Sequence, residues 1–284
     1  MISEAELRRL AARWGVDSMV VDLDYSLGWF IAALYGANEG AERLYFKGGT
    51  CLRKCYFGDY RFSEDLDFTA TRYFDPERLL DWITQAARWS ATRAGPDYEV
   101  ATPRVETLRD EYGGETYQVR VYYRGPLQWG GSPRAIRLDV TRDERVICPP
   151  ETRGLLHPYS DMEVLEVPAI TCYALVEILA EKLRAISGQR RFAVSRDLYD
   201  IHHLLQAGVS VAEVAPSLSA KFAARGVNLA ALEISQFAAR RADFAADWER
   251  RLSYLVRAAP QVTFAVAWET ALEVLQQIKE YHIP

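Results

Sequence analysis

Apolar residues recur at three- and four-residue intervals over 3–14, where Leu7, Leu10, Ala11 and Trp14 form one stripe, and again over 17–37, so two helices are predicted to open the chain. A β-prone run, Arg43 to Lys47 (RLYFK), then stops at Gly48-Gly49, and Thr50 begins the helix-like TCLRKCYF. The order is strand, glycine turn, helix. Beyond a polar turn at 58–61, the segment Phe62 to Thr69 (FSEDLDFT) alternates with period two. Asp65 and Asp67 therefore project from one face of a predicted strand, and Leu66 and Phe68 from the other.

Asp75 to Thr92 reads as a helix with Asp75 as cap and Pro76 at its first position, broken by Gly95-Pro96. Three β-prone runs follow, Tyr98 to Leu108, Thr116 to Tyr123 and Ala135 to Thr141. Gly113-Gly114 and a Gly/Pro/Ser-rich loop at 125–133 separate them, which predicts a meander. From Pro168 the pattern turns helical: AITCYALVEILAEKLRAIS, RDLYDIHHLLQAG, then stretches near 211–225, 228–256 and 263–281. The expectation is an α+β chain with a mixed-sheet domain over 1–165, preceded by a helical prologue, and a helical domain over 166–284.

Composition adds bounds. At 284 residues, 49% hydrophobic and 26% charged, the chain has material for two globular lobes. The net charge of −5 excludes a protein that coats nucleic acid or an anionic membrane nonspecifically, so any nucleic-acid site must be a local basic patch. Cys51, Cys55, Cys148 and Cys172 lack CxxC spacing and a histidine pairing of zinc type, and read as reduced thiols. The first residues lack the apolar core of a signal peptide, and the most apolar later segment, 164–180, is interrupted by Glu166, Pro168 and Glu177. A cytoplasmic protein without a membrane partner is expected.

The chemistry centres on the Asp-x-Asp pair. Mg²⁺ takes hard oxygen ligands, commonly one or two carboxylates plus substrate phosphates, and side chains two apart on a strand can share that task. Asp139, in the alternating run RAIRLDVT, is the candidate third carboxylate. Gly48-Gly49-Thr50 joins a strand to a helix start, where unpaired backbone N–H groups favour a phosphate, and Thr50 or Ser63 could add a hydroxyl. Bland readings stand beside these. A glycine pair also serves a tight turn, Asp139 could pair with Arg137 or Arg120, and Asp22-Leu23-Asp24 fits a helix amino terminus. His202 and His203 read as a half-buried helix pair, and the arginine pairs at 240/241 and 250/251 as a solvated face.

FKGGTCLRKCYFGDYRFSEDLDFT (46–69) resembles the signature of the AbiEii/AbiGii nucleotidyltransferase toxin family, and EKLRAISGQRRFAVSRDLYDIHHL (181–204) is similar to its second motif block. The resemblance spans roughly residues 44–204. It implies a DNA-polymerase-β-like catalytic lobe followed by a helical lobe, in a toxin that adds nucleotides from a nucleoside triphosphate (NTP) to RNA, tRNA 3′ ends in characterised branches. It also implies an antitoxin partner and an abortive-infection setting, and no DNA substrate. By the same resemblance Asp65 and Asp67 hold Mg²⁺ or Mn²⁺, with Asp139 the third candidate ligand, while Gly49 and Ser63 sit at the triphosphate, where Lys47, Gly48 and Thr50 are further candidates. Lys182 neutralises phosphate charge, and Asp197 or Asp200 completes the lower site, with Arg196 a further candidate for nucleotide binding. QRRFAVS, between Lys182 and Arg196, is longer than the compact loop of many members. Arg190, Arg191 and Arg196 beside it form a candidate RNA-backbone patch.

The expected reaction is attack by an RNA hydroxyl on the α-phosphate, with release of pyrophosphate. Rival readings are transfer to a small molecule or a protein hydroxyl, and a noncatalytic nucleotide-binding module. A nucleotide-sugar glycosyltransferase would need a preceding βαβ unit that the sequence lacks.

Overall fold

Both opening helices form where the apolar stripes place them. The Ser3 hydroxyl of α1 (Glu4–Trp14) accepts from the Glu6 N–H, and Gly15 ends the helix in the left-handed region. Helix α2 (Ser18–Ala37) starts under an Asp17 cap and is buried nearly all round. This corrects one expectation: Asp22 and Asp24 lie in its second turn, 3% and 1% exposed, and cap nothing. Asp22 accepts from the Leu127 N–H, and Asp24 is ion-paired.

The computed structural model describes the whole chain apart from residues 110–113, 129, 167, 168, 191, 258–261, 283 and 284. The chain divides into two units, Met1–Glu144 with Pro150–Cys172, and Arg145–Pro149 with Tyr173–Pro284.

The first unit is built on seven strands: β1 (Leu44–Lys47), β2 (Asp65–Ala70), β3 (Arg104–Arg109), β4 (Glu115–Tyr123), β5 (Arg134–Thr141), β6 (Glu151–Arg153) and β7 (Ile170–Cys172). They lie in the order β3-β4-β5-β2-β1-β7-β6, with β2 parallel to β5, β1 parallel to β7 and the other pairs antiparallel. Leu66, Phe68, Val119, Val121, Ile136, Leu138 and Val140 are buried, as the alternation predicts. Helix α4 (Pro76–Thr92), capped by Asp75 with Pro76 in its first turn, packs along α2.

Three boundaries differ from the sequence reading. The strand expected from Phe62 begins at Asp65, and the run from Tyr98 pairs as a strand only from Arg104, after Pro103, which has no N–H to give. Residues 170–172, expected to open a helix, form β7 beside β1, because β-branched Ile170 and Thr171 suit a strand. The Gly113 turn and the Pro168 boundary lie outside the described residues.

The second unit is helical: α5 (Leu175–Arg184), α6 (Ser195–Gln206), α7 (Val211–Ala223), α8 (Ile234–Ala239), α9 (Arg241–Asp247) and α10 (Phe264–His282). The long helix expected over 228–256 is divided, and Phe237 of α8 stacks on Trp268 of α10 at 4.5 Å. Among the described residues no helix is long and apolar enough to cross a membrane.

Candidate active site

Sheet register assembles the carboxylates. Asp67 of β2 lies opposite Lys47 on one side and Asp139 of β5 on the other, and Gln118 and Glu106 continue that rung across β4 and β3. Two rungs away, on the same face, Asp65 lies opposite Arg137, followed by Arg120 and Arg104. A polar cavity of about 200 Å³ opens on this face, and Asp65 and Asp139 line it together with Gln118 and the three arginines. Asp65, Asp67 and Asp139 are half-buried while Leu66 and Leu138 between them are buried, so the carboxylates and the leucines lie on opposite faces of the sheet.

The charges are crowded. Burial first, then the neighbouring Asp67 and Asp65 carboxylates, push the Asp139 carboxyl up to about 6 against the pull of Gln118 and Arg137. The three carboxylates share one face of the sheet and offer only oxygen donors, the ligand type a hard divalent cation such as Mg²⁺ or Mn²⁺ takes.

The glycine turn closes against this group. Gly48 has φ +76, and a Cβ there would lie 2.3 Å from Asp67 Oδ2, so the position requires glycine for both backbone and space. At Gly49 a Cβ would meet the Arg61 guanidinium at 2.4 Å and Ser63 Oγ at 3.1 Å. A short helix, α3 (Gly48–Cys51), starts at the turn and continues through a wider turn over Leu52–Tyr56. Thr50, a candidate phosphate donor, is fully buried and donates to the Asp65 carbonyl at 2.5 Å, which ties the helix start to β2. Lys47 and Ser63 are both 8% exposed at the same turn.

Lys182, Asp197 and Asp200 meet within the second unit. Lys182 Nζ lies 2.6 Å from Asp197 and 2.9 Å from Asp200, and Arg190 reaches Asp197 at 2.6 Å. Burial alone would raise the Asp197 carboxyl, yet Arg190 and Lys182 hold it below the usual carboxylate range. Spacing along one helix hides these partners of Lys182, because they come from α6 rather than α5. Arg196 sits half-buried in the first turn of α6, and Arg191 lies outside the described residues. His202 bonds Thr270 and His203 stacks on Tyr199, in keeping with a packed pair.

Sequence reasoning missed several groups. Arg61, 2% exposed, backs Gly49; its adjacency to the Phe-Ser-x-Asp run is the one sequence signal. Asp24 receives Arg53 at 2.5 Å, Lys54 at 2.8 Å and the Tyr159 hydroxyl at 2.7 Å, anchoring α3 from behind. Burial lowers the Lys54 ammonium to about 8, with Asp24 opposing it, and the two cations hold Asp24 far below its ordinary value despite its burial. Cys51, Cys55 and Cys172, unremarkable by spacing, bring their sulfurs within 4.8 Å of one another as free thiols. Hydrogen bonds from Cys172 and Cys51 lower the Cys55 thiol to about 5.

The profile of a family described as "Nucleotidyl transferase AbiEii toxin, Type IV TA system" matches residues 30–274. Among solved structures, MenT4, a nucleotidyltransferase toxin from Mycobacterium tuberculosis, is similar at 22% identity with a TM-score of 0.69, over 99% of this chain and 93% of that one. JHP933 from Helicobacter pylori is similar at 15% identity with a TM-score of 0.57, over 93% of this chain and 94% of the other. A search of curated protein sequences returns no match.

Proposed function

The chain belongs to the AbiEii family of nucleotidyltransferase toxins of type IV toxin–antitoxin systems, and from that premise we propose that it transfers a nucleotide from an NTP to the 3′ end of tRNA. The observation that carries the proposal is the register placing Asp67 opposite Asp139, with Asp65 two residues away on the same face and Gly48 closed against Asp67.

Asp65, Asp67 and Asp139 would hold a divalent metal, Mg²⁺ or Mn²⁺, which when bound supplies charge neutralisation to the triphosphate and favours the alkoxide form of the attacking hydroxyl. The chain's own residues do the rest. The Gly48-Gly49 turn lets the backbone approach the β- and γ-phosphates with no Cβ in the way, and the Ser63 hydroxyl and Lys47 ammonium at that turn bind their oxygens. Asp139, held up to about 6, takes the proton of the acceptor hydroxyl. The new bond joins that oxygen to the α-phosphorus, the bond to the bridging oxygen breaks, and pyrophosphate leaves. For Lys182, paired with Asp197 and Asp200, the proposed role is the one the family resemblance implies, a cation for phosphate. The family also supports a cognate antitoxin as the restraining partner.

Acceptor profiling tests this reading. Each α-labelled NTP is incubated with Mg²⁺ and, separately, total tRNA, total protein or small hydroxyl compounds. Label on tRNA is expected. Label confined to protein or small molecules overturns the acceptor, and no label on any of them overturns the transfer reading itself.

A further inference from the structure

Next to the carboxylates the sheet carries a row of like charges. Arg104, Arg120 and Arg137 lie directly opposite one another on β3, β4 and β5, and the rung ends on Asp65 of β2. All three are exposed and line the same cavity as Asp65 and Asp139. Like charges on directly opposed strand positions repel, so a fold selected for stability alone would break such a ladder. A local conflict of this kind is expected where a site needs it. The ladder spans three strand spacings from Asp65, about 14 Å at roughly 4.8 Å per strand.

Its direction is informative. The attacking and leaving oxygens of a phosphoryl transfer lie roughly in line, so the groups holding pyrophosphate and acceptor fall on opposite sides of the reacting phosphorus. On the reading above, the triphosphate lies at β1, by Lys47 and the Gly48-Gly49 turn. The acceptor must then approach from β5, where the arginine rung begins. Tyr122, half-exposed two residues from Arg120 on the same strand face, offers a ring on which a base can stack.

We infer that Arg104, Arg120 and Arg137 form a track for the phosphate backbone of the acceptor RNA, leading its 3′ end to Asp139. This rests on the RNA-transfer reading and adds to it the surface that receives the RNA. The guanidinium forks suit phosphate oxygens, and the polyanion removes the mutual repulsion that the free protein tolerates. Contacts of this kind position the strand without reading its sequence, so selectivity for a particular RNA must come from elsewhere.

The test compares the parent with a triple variant, Arg104→Gln, Arg120→Gln and Arg137→Gln, and with its all-lysine counterpart. Binding of 5′-fluorescein-labelled tRNA is measured against salt without NTP, and KM for tRNA and for NTP are measured in the transfer assay. A single strand loses affinity with a slope of about −0.7 per phosphate neutralised, so three contacts contribute about −2. The glutamine variant should therefore lose that much slope and about fifty-fold in affinity at 0.15 M salt. Its KM for tRNA should rise while KM for NTP stays within about twofold, its thermal midpoint should hold or rise, and the lysine variant should retain most of the affinity and slope. Unchanged tRNA affinity and slope in the glutamine variant would overturn the track, as would a KM for NTP that rises in step, which would place the arginines on the triphosphate. If the parent labels tRNA and the variant matches it, the track alone fails; if the parent neither binds nor labels tRNA, the RNA reading fails with it.

Discussion

Replacing Gly48 by alanine should cripple catalysis far more than it harms folding. The new methyl would sit 2.3 Å from Asp67 Oδ2, 3.0 Å from its Cγ and 3.1 Å from its Cβ, whereas ordinary contact begins at 3.4 Å. The carboxylate must retreat by about 1 Å, since the backbone on the other side is locked by the Lys47–Asp67 register, and a shift of that size in a positioning group costs on the order of 100-fold in rate. The φ of +76 adds about 1 kcal/mol of strain, lowering the thermal midpoint by only a few degrees. The assay is pyrophosphate release at saturating NTP and Mg²⁺, run beside thermal unfolding, with Gly58→Ala as control because a Cβ at Gly58 meets nothing within 4 Å. At saturation kcat should fall by about 100-fold in Gly48→Ala and by less than about twofold in Gly58→Ala. Parent-like turnover in a folded Gly48→Ala protein would refute the claim that the turn is shaped around Asp67.

Asp24→Asn leaves Arg53 and Lys54 without their buried counter-ion, and should cost about 3–5 kcal/mol, roughly 10 °C in the midpoint of the first unit; an unchanged melting curve would contradict the anchoring role. Asp139 is raised in the folded protein from an ordinary value of 3.8 to about 6, so the folded state binds its proton more tightly and metal-free stability falls as pH rises from about 4 to about 6. Asp139→Asn removes that penalty: the metal-free variant should melt above the parent at pH 7.5, the gap closing towards pH 4, while transfer activity is lost. A gap that widens on acidification would show the sign to be wrong. Lys182→Ala removes the cation shared by two buried carboxylates, of which Asp197 keeps Arg190, and should destabilise the second unit by about 3 kcal/mol at neutral pH, with partial recovery near pH 4 as the acids take up protons. Calorimetry at the two pH values checks it; equal losses at both would argue against the ion-pair account.

The local chemistry of the site was legible because it is written in short spacings. Asp65 and Asp67 share a face by strand periodicity, Asp139 follows from the alternation of its own run, and the Gly48-Gly49 turn follows from a strand that stops abruptly. What stayed hidden depends on pairing between distant segments. The parallel β2–β5 register that sets Asp67 beside Asp139 crosses more than sixty intervening residues, and the arginine ladder exists only once β3, β4 and β5 are aligned. The same holds for Asp24, whose buried partners come from the Leu52–Tyr56 turn and the segment around Tyr159, and for Cys172, which joins Cys51 and Cys55 only because β7 pairs with β1. β7 itself was masked by the apolar run that continues into α5, where three β-prone residues do not stand out from a helical pattern.

The most direct test of the central claim is transfer of α-labelled NTP to tRNA in Mg²⁺ by the parent, by Asp67→Asn and by Asp65→Ala, with matched thermal unfolding curves. The account predicts label with the parent, its loss when the metal is chelated, and a drop of at least about 1000-fold in either variant, because each removes a carboxylate from the donor set. A folded Asp67→Asn protein that labels tRNA at the parent's rate would contradict it.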